Sequence, residues 1–266
     1  MRKTLLTMLV STAAIAGLLI ASSGAASAAS SVHYVALGDS YSSGVGAGSY
    51  TASSGSCDRS TNAYSQLWTN AHAPASYTSV ACSGATTSSV ISGQLSALSS
   101  STTLVSITIG GNDVGFSNIM ETCALDSTSS CVSAVNAAET YAQNTLPGSL
   151  NTLFNDIRAD APTAHVVVLD YPVFYQLGTL CIGLSTTDHK KIDEGIGILD
   201  GVESSAAAAH GFTFGDVRNQ FVGHQLCSYG TKWLHALNVT DITESYHPTA
   251  AGQSGGFLPV FTSAAG

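Results

Sequence analysis

The chain has 266 residues, of which 44% are apolar and 9% are charged, with 17 acidic against eight basic side chains. This length and apolar share are enough for a buried core, and they exclude a disordered chain, which is rich in charge and poor in apolar residues. The few basic residues argue against a nucleic-acid partner and against electrostatic docking on anionic lipid, because both need clustered Lys and Arg.

The N-terminal segment is typical of a secretory signal peptide. Arg2 and Lys3 precede an apolar stretch over residues 5–21, and the small residues 26–28 fit a cleavage site. We therefore expect residues 1–28 to be removed and the protein to be secreted, with no integral membrane association. Removal leaves six basic against 17 acidic residues, a net charge of −11.

Six cysteines follow the predicted cleavage site, and an even number behind a signal peptide favours disulfides in an oxidising compartment. The residues alone leave the pairing open, and pairing of sequence neighbours is the simplest arrangement. Neither C-x-x-C nor H-E-x-x-H occurs, so we expect no metal centre and no other cofactor. The cysteines are Cys57, Cys82, Cys123, Cys131, Cys181 and Cys227.

Short apolar runs alternate with longer helical stretches, which indicates parallel βαβ units and a doubly wound α/β sheet in one domain of residues 29–266. The Ser- and Gly-rich residues 42–55 predict a long loop, and Pro147-Gly148 predicts a helix break. Strands are predicted at residues 33–37, 77–81, 104–109, 165–169 and 212–217, and helices at residues 62–71, 87–98, 132–159, 186–210 and 249–264.

The first predicted strand ends in Gly38-Asp39-Ser40. Ligands and reacting groups of open parallel sheets lie beyond the carboxyl ends of the strands, and a serine there is a nucleophile when an imidazole accepts its proton. The alternative is a helix N-cap, because Asp and Ser are both good caps.

Two further motifs follow the neighbouring strands. Gly110-Gly111-Asn112-Asp113 follows the third strand, where the Asn112 amide is a candidate donor to a developing oxyanion, although the same residues also suit a plain turn. Gly84 follows the second strand and offers a backbone N–H at the same edge.

Near the C-terminus, Glu244 lies three residues before His247, and Pro248 follows the histidine. Proline fixes the backbone, and Thr249 is a good cap for a closing helix, so the imidazole is expected at the entrance of that helix. A carboxylate or a backbone carbonyl on Nδ1 would leave Nε2 free to act as a general base.

Together, Gly-Asp-Ser, Gly-x-Asn-Asp and Glu-x-x-His-Pro resemble the secreted SGNH, or GDSL-type, lipases and esterases, over nearly the whole mature chain. The resemblance implies a three-layer α/β/α, flavodoxin-like SGNH-hydrolase fold with about five parallel strands. It also implies Ser40 as nucleophile and His247 as base. The oxyanion hole it implies consists of the N–H groups of Ser40 and Gly84 and the amide of Asn112.

The six-cysteine layout and the turns at residues 170–174 and 221–224 resemble the secreted actinobacterial lipase branch of this family. That branch pairs its cysteines in sequence order, which implies Cys57–Cys82, Cys123–Cys131 and Cys181–Cys227.

The chain departs from the family pattern at Glu244, where the family usually has Asp. The longer side chain alters the reach to His247, and in some secreted relatives a main-chain carbonyl supports the histidine instead. We therefore favour the Ser245 carbonyl over the Glu244 carboxylate, which makes the predicted site a Ser–His dyad.

The predicted function is a secreted, monomeric serine ester hydrolase acting on a small ester or lipid as a lipase, esterase or phospholipase. The alternatives are a carbohydrate-ester deacetylase of the same fold and a non-catalytic secreted binding protein in which Ser40 is only a cap. The net charge of −11 disfavours anionic membranes, so action on lipid would depend on apolar loops near Ser40 or on dispersed esters.

Overall fold

The structure, a computed structural model, describes residues 30–238 and 242–266, so the predicted signal peptide at residues 1–28 lies outside the described residues. Among the residues that are described, no helix combines the length and the hydropathy needed to cross a bilayer.

Five parallel strands form one sheet in the order β2-β1-β3-β4-β5. They are β1 (His33–Ala36), β2 (Ser76–Ser79), β3 (Leu104–Ile107), β4 (His165–Leu169) and β5 (Thr213–Gly215). In register, Val35 of β1 lies opposite Val105 of β3, and Val105 lies opposite Val166 of β4. The prediction of a five-stranded parallel sheet is confirmed, and each strand begins within one residue of its predicted start.

The helices are α1 (Ser40–Ser43), α2 (Tyr64–His72), α3 (Thr87–Gly93), α4 (Phe116–Leu125), α5 (Thr128–Asn144), α6 (Leu146–Asp160), α7 (Thr186–Ala209), α8 (Arg218–Phe221), α9 (Ala250–Gly252) and α10 (Leu258–Ala265). A π-helical turn at Gln253–Phe257 joins the last two. Single 3₁₀ turns lie at Ala52–Cys57, Leu95–Ala97 and Ile242–Glu244.

Helices cover both faces of the sheet. All four residues of β3 are buried, as are the last four of β4, which happens only when both sides of a parallel sheet are covered. On one face, Tyr34 packs against Trp68 of α2 and Phe261 of α10, with ring centroids 5.4 and 5.3 Å apart. Helices α3, α6 and α7 pack in sequence against one another, and α7 contacts β4 and β5.

Three local predictions have different outcomes in the structure. The helix predicted over residues 132–159 is broken, as expected, between α5 and α6, with Pro147 in the first turn of α6. Helix α4 was not predicted, because the apolar positions in Phe116–Leu125 directly follow a turn-forming Gly-rich segment. The loop predicted over residues 42–55 contains the end of α1 and the start of a 3₁₀ turn.

Three disulfides join the cysteines in sequence order: Cys57–Cys82, Cys123–Cys131 and Cys181–Cys227. Cys57–Cys82 and Cys181–Cys227 join segments that follow strands at the edge where α1 also begins, whereas Cys123–Cys131 joins α4 to α5 within the core.

Gly38, between β1 and α1, is required by its backbone conformation. Its φ is +117°, and a Cβ there would lie 2.5 Å from the carbonyl oxygen of Thr108. Both facts exclude a side chain, because a positive φ strains L-residues and a backbone oxygen cannot move aside.

We expect Gly38→Ala to lower the free energy of unfolding by about 3 kcal/mol, from backbone strain and overpacking together. The matched control is Gly93→Ala at the end of α3, where a Cβ meets nothing within 4 Å. This control should stay within about 1 kcal/mol of the wild type. Urea unfolding measures both, and equal stabilities of the two variants would contradict the assigned role of Gly38.

Candidate active site

Ser40 is the first residue of α1, immediately beyond the carboxyl end of β1. The turn before it is held by Gln94, whose side chain accepts from the Gly38 N–H at 2.8 Å and donates to the Gly38 carbonyl at 2.9 Å. The sequence allowed either Asp39 or Ser40 as the N-cap of α1, and in the structure the cap is Asp39. The hydroxyl of Ser40 is therefore not used as a cap.

The buried Asp39 carboxylate joins three strand ends. It accepts from the Tyr41 N–H at 3.0 Å, from the Thr108 hydroxyl at 2.6 Å and from the Tyr171 hydroxyl. Tyr171 in turn accepts from the Gly111 N–H at 3.1 Å, which links the Gly-Gly-Asn-Asp turn to the same group. Burial raises the pKa of Asp39 to about 6, while the hydroxyl and N–H donors oppose that rise.

His247 lies between Ser40 and a main-chain carbonyl. Its Nε2 is 2.7 Å from the Ser40 Oγ, and its Nδ1 is 3.0 Å from the carbonyl oxygen of Ser245. A carbonyl only accepts, so Nδ1 carries the proton and Nε2 presents its lone pair to the serine hydroxyl. Burial lowers the pKa of His247 to about 4, which keeps the ring neutral at neutral pH.

The loop carrying His247 is held by main-chain pairing with an earlier segment. The His235 N–H donates to the His247 carbonyl at 3.0 Å, and the Tyr246 N–H donates to the His235 carbonyl at 2.9 Å. The Tyr41 hydroxyl donates to the Tyr246 carbonyl at 2.8 Å, so α1 and the histidine loop are joined directly. Ser40 and His247 are thus positioned by a shared set of contacts.

Glu244 points to a different partner. Its carboxylate accepts from the Tyr50 hydroxyl at 2.6 Å, and the Tyr50 oxygen accepts from the Gly46 N–H at 2.8 Å. Of the two supports that the sequence offered for His247, the structure brings the Ser245 carbonyl to Nδ1 and directs the Glu244 carboxylate away to the loop after α1.

Gly84 and Asn112 lie at the same edge of the sheet as Ser40. The N–H groups of Ser40 and Gly84 donate to no acceptor within the described part of the chain. The Asn112 side-chain amide donates one N–H to the Ala85 carbonyl at 3.0 Å, which ties the turn after β3 to the loop after β2. An amide nitrogen carries two hydrogens, so this bond leaves the second available.

An apolar cavity begins beside Ser40 and extends between α4, α5 and α7. Among its lining residues are Ile119, Met120, Val135, Phe174, Ile196 and Leu199. Glu139 also lines the cavity, and its charge is paired with Lys191 at 2.7 Å. The space suits an aliphatic chain, because its walls are almost entirely hydrocarbon.

One group of candidate metal ligands comes together in the described residues, namely Cys181, His189 and Cys227. The two cysteines are joined in a disulfide and cannot bind as thiolates. The His189 ring stacks on Tyr175, with centroids 4.0 Å apart. This group is therefore a packing cluster.

Buried carboxyl groups that were not predicted from the sequence lie behind the site. Asp170 accepts from the Val217 N–H at 2.7 Å and lies 3.4 Å from the Arg218 guanidinium. Asp200 is 3.8 Å from the same guanidinium, and neither oxygen of Glu203 has a hydrogen-bond partner among the described residues. Burial raises the pKa of all three well above the ordinary range, because the charged form loses its hydration.

The side chains that hold the site together were also not predicted from the sequence. Tyr171, Thr108 and Gln94 are buried polar residues in or beside the core. A buried polar side chain needs a partner, but the sequence does not reveal which one, because these partners lie 56 to 132 residues away.

The sequence matches the GDSL-like lipase/acylhydrolase family over residues 36–254. It is 59% identical over 241 residues to lipase 1 of Streptomyces coelicolor, covering 91% of this chain and 90% of that protein. Phospholipase A1 from Streptomyces albidoflavus is 52% identical in sequence, and its crystal structure matches with a TM-score of 0.85 over 87% of this chain and 98% of that chain.

The extracellular lipase from Streptomyces rimosus is 51% identical in its crystal structure, with a TM-score of 0.85 and coverage of 88% and 99% of the two chains. The parallel sheet and its flanking helices match the SGNH-hydrolase fold of these structures. The family match spans most of the chain, and these identities exceed one half over nearly the full lengths. The chain therefore belongs to the GDSL-like lipase/acylhydrolase family and is an ester hydrolase.

Proposed function

We propose that the protein is a serine lipase or esterase in which Ser40 is the nucleophile and His247 the general base. The observation that carries this proposal is the 2.7 Å contact between the Ser40 Oγ and His247 Nε2, made while Nδ1 is held by the Ser245 carbonyl. A hydroxyl on a neutral, oriented imidazole is the arrangement required for nucleophilic catalysis.

In the first step, the Ser40 Oγ bonds to the ester carbonyl carbon as its proton passes to His247 Nε2, and the carbonyl electrons move onto the oxygen. The tetrahedral intermediate collapses by breaking the bond to the alkoxy group, which takes the proton from His247 and leaves as the alcohol. Water then attacks the acyl-enzyme, giving its proton to His247. Breaking the acyl–Oγ bond releases the acid and returns that proton to Ser40.

The developing oxyanion needs donors that are in place before the reaction. The free N–H groups of Ser40 and Gly84 and the remaining amide hydrogen of Asn112 supply three such donors. Asn112 is fixed by its bond to Ala85, so its amide does not reorganise when charge develops.

The substrate class follows from the cavity beside Ser40. Its walls of Ile, Leu, Val, Met and Phe side chains favour an ester with an extended aliphatic acyl chain. An acetyl group contacts few of these side chains, and apolar side chains outnumber polar ones in the cavity lining. The cavity thus favours a lipase or esterase over a carbohydrate-ester deacetylase.

We further propose that residues 1–28 are a signal peptide and that residues 29–266 form one secreted, monomeric catalytic domain. Three disulfides support an oxidising compartment. The Streptomyces rimosus relative is described as extracellular, which also supports secretion.

The central test is Ser40→Ala on p-nitrophenyl esters of increasing chain length. The wild type should prefer acyl chains longer than acetyl, and the variant should lose about 10⁴-fold or more in kcat/KM on every ester. A fluorophosphonate should label the wild type stoichiometrically at Ser40. Activity retained by a folded Ser40→Ala variant would exclude the proposed nucleophile, absence of labelling would favour a binding protein, and a maximum at acetate would favour a deacetylase.

The second prediction separates the two supports of His247. Glu244→Gln retains an acceptor for Tyr50, so we expect kcat/KM within about threefold of the wild type, the scale of one weakened hydrogen bond. His247→Ala is the matched loss-of-base control and should resemble Ser40→Ala. If Glu244→Gln loses as much activity as His247→Ala, the carboxylate and not the carbonyl orients the imidazole.

The third prediction concerns pH. His247 acts as a base only when neutral, so activity falls as the pH drops through its pKa, which burial lowers to about 4. The ionisation of the His247 ring, followed by NMR so that protonation of Asp39 near pH 6 does not contribute, should therefore have its midpoint near pH 4, whereas an unperturbed histidine with a pKa of 6.5 places that midpoint near 6.5. Circular dichroism at each pH verifies that the protein remains folded, and a midpoint near 6.5 would contradict the buried, carbonyl-bound state of the base.

A further inference from the structure

Three large apolar side chains project into solvent at the edge of the sheet that carries Ser40. Leu180 is 91% exposed, Ile182 97% and Tyr229 88%. Single exposed apolar residues are ordinary on soluble proteins, but a group of large ones with almost no protein contact is not. We call these three residues the apolar rim.

The apolar rim stands on one cross-linked unit. Leu180 and Ile182 flank Cys181, which is bonded to Cys227, two residues before Tyr229. The Thr179 hydroxyl also donates to the Cys227 carbonyl at 2.9 Å. The loops after β4 and β5 are therefore joined, and the three side chains are held in their outward positions.

The segments that carry the apolar rim lack charge. Residues 171–187 and residues 219–231 contain no Asp, Glu, Lys or Arg, although the chain as a whole has 17 acidic and eight basic residues. The protein's negative charge is therefore carried elsewhere, and this surface neither attracts nor repels an uncharged partner by Coulomb forces.

The loop that carries two of the rim residues also reaches the candidate active site. Phe174, at the start of that loop, lines the acyl cavity and stacks on Tyr246, with ring centroids 5.6 Å apart. Tyr246 precedes His247 in the chain. The loop after β4 therefore carries both part of the apolar rim and part of the cavity wall.

We propose that the apolar rim docks the enzyme on the surface of a zwitterionic lipid aggregate, with its three side chains among the acyl chains and the cavity mouth turned towards the lipid. The role in supplying substrate rests on the proposed function, whereas the docking itself does not need a catalytic Ser40. A fluid acyl layer accommodates separate protruding side chains. A second protein copy would need a flatter, complementary patch.

The test uses Ser40→Ala protein, which does not degrade the lipid, and sedimentation with phosphatidylcholine vesicles. Leu180→Ser, Ile182→Ser and Tyr229→Ser are made separately in this background. Each variant should lose at least about tenfold in vesicle partitioning, because it no longer buries one large apolar side chain in the lipid. The control is Tyr141→Ser on α5. Thr128, at the start of that helix, lies 3.1 Å from Ser185, three residues after Ile182, and Tyr141 is thirteen residues and so about 20 Å further along the helix. The control should bind like the parent.

Each rim variant is also made with Ser40 intact and assayed on monomeric p-nitrophenyl butyrate, where kcat/KM should stay within about twofold of the wild type because no reacting group has changed. Unchanged vesicle partitioning in all three variants would overturn the proposal. So would a concentration-dependent dimer that the substitutions dissolve, or an equal loss on the monomeric ester. Failure of Ser40 as nucleophile would appear only in the ester assays, so the two proposals fail in different experiments.

Discussion

The Asp39 carboxylate is the constraint on which the site depends, because it joins the carboxyl ends of three central strands. It caps α1 after β1 and accepts from Thr108 after β3 and from Tyr171 after β4. A buried carboxylate must satisfy its oxygens within the protein, so these donors are drawn to one point. The start of α1, and with it Ser40, is placed relative to the middle of the sheet by Asp39 together with Gln94, which holds the turn before it.

The histidine side of the site is built differently, by main-chain hydrogen bonds. The segment around His235 pairs with the segment around His247, and a carbonyl instead of a carboxylate holds the imidazole. The base therefore has no ionic partner, and burial keeps its pKa low. The ring is therefore neutral at neutral pH, and in the proposed mechanism positive charge forms on it only when Ser40 transfers its proton, at the moment when an oxyanion of opposite charge develops nearby.

The sequence was sufficient for features encoded by short-range patterns. Strand and helix alternation indicated the parallel sheet, and the Gly-Asp-Ser turn placed Ser40 at its carboxyl edge. The sequence was insufficient where packing between residues distant in the chain determines the structure. Helix α4 follows a Gly-rich turn that obscures its start. The direction of the Glu244 side chain depends on Tyr50, which lies 194 residues away in the chain. The buried Asp200 and Glu203 look like ordinary polar positions of a long helix until β4 and its loop are packed against them.

Two of the three disulfides, Cys57–Cys82 and Cys181–Cys227, cross-link segments that follow strands at the edge that carries the site, and the third joins α4 to α5 within the core. Thiol reduction therefore acts on the loops beside Gly84 and the apolar rim and, through Cys123–Cys131, on two helices that line the cavity. The redox state of the surroundings is thereby coupled to the walls of the cavity as well as to the loops at the reactive edge. No strand in the described part of the chain carries a disulfide, so the sheet is held by packing and backbone hydrogen bonds in either redox state.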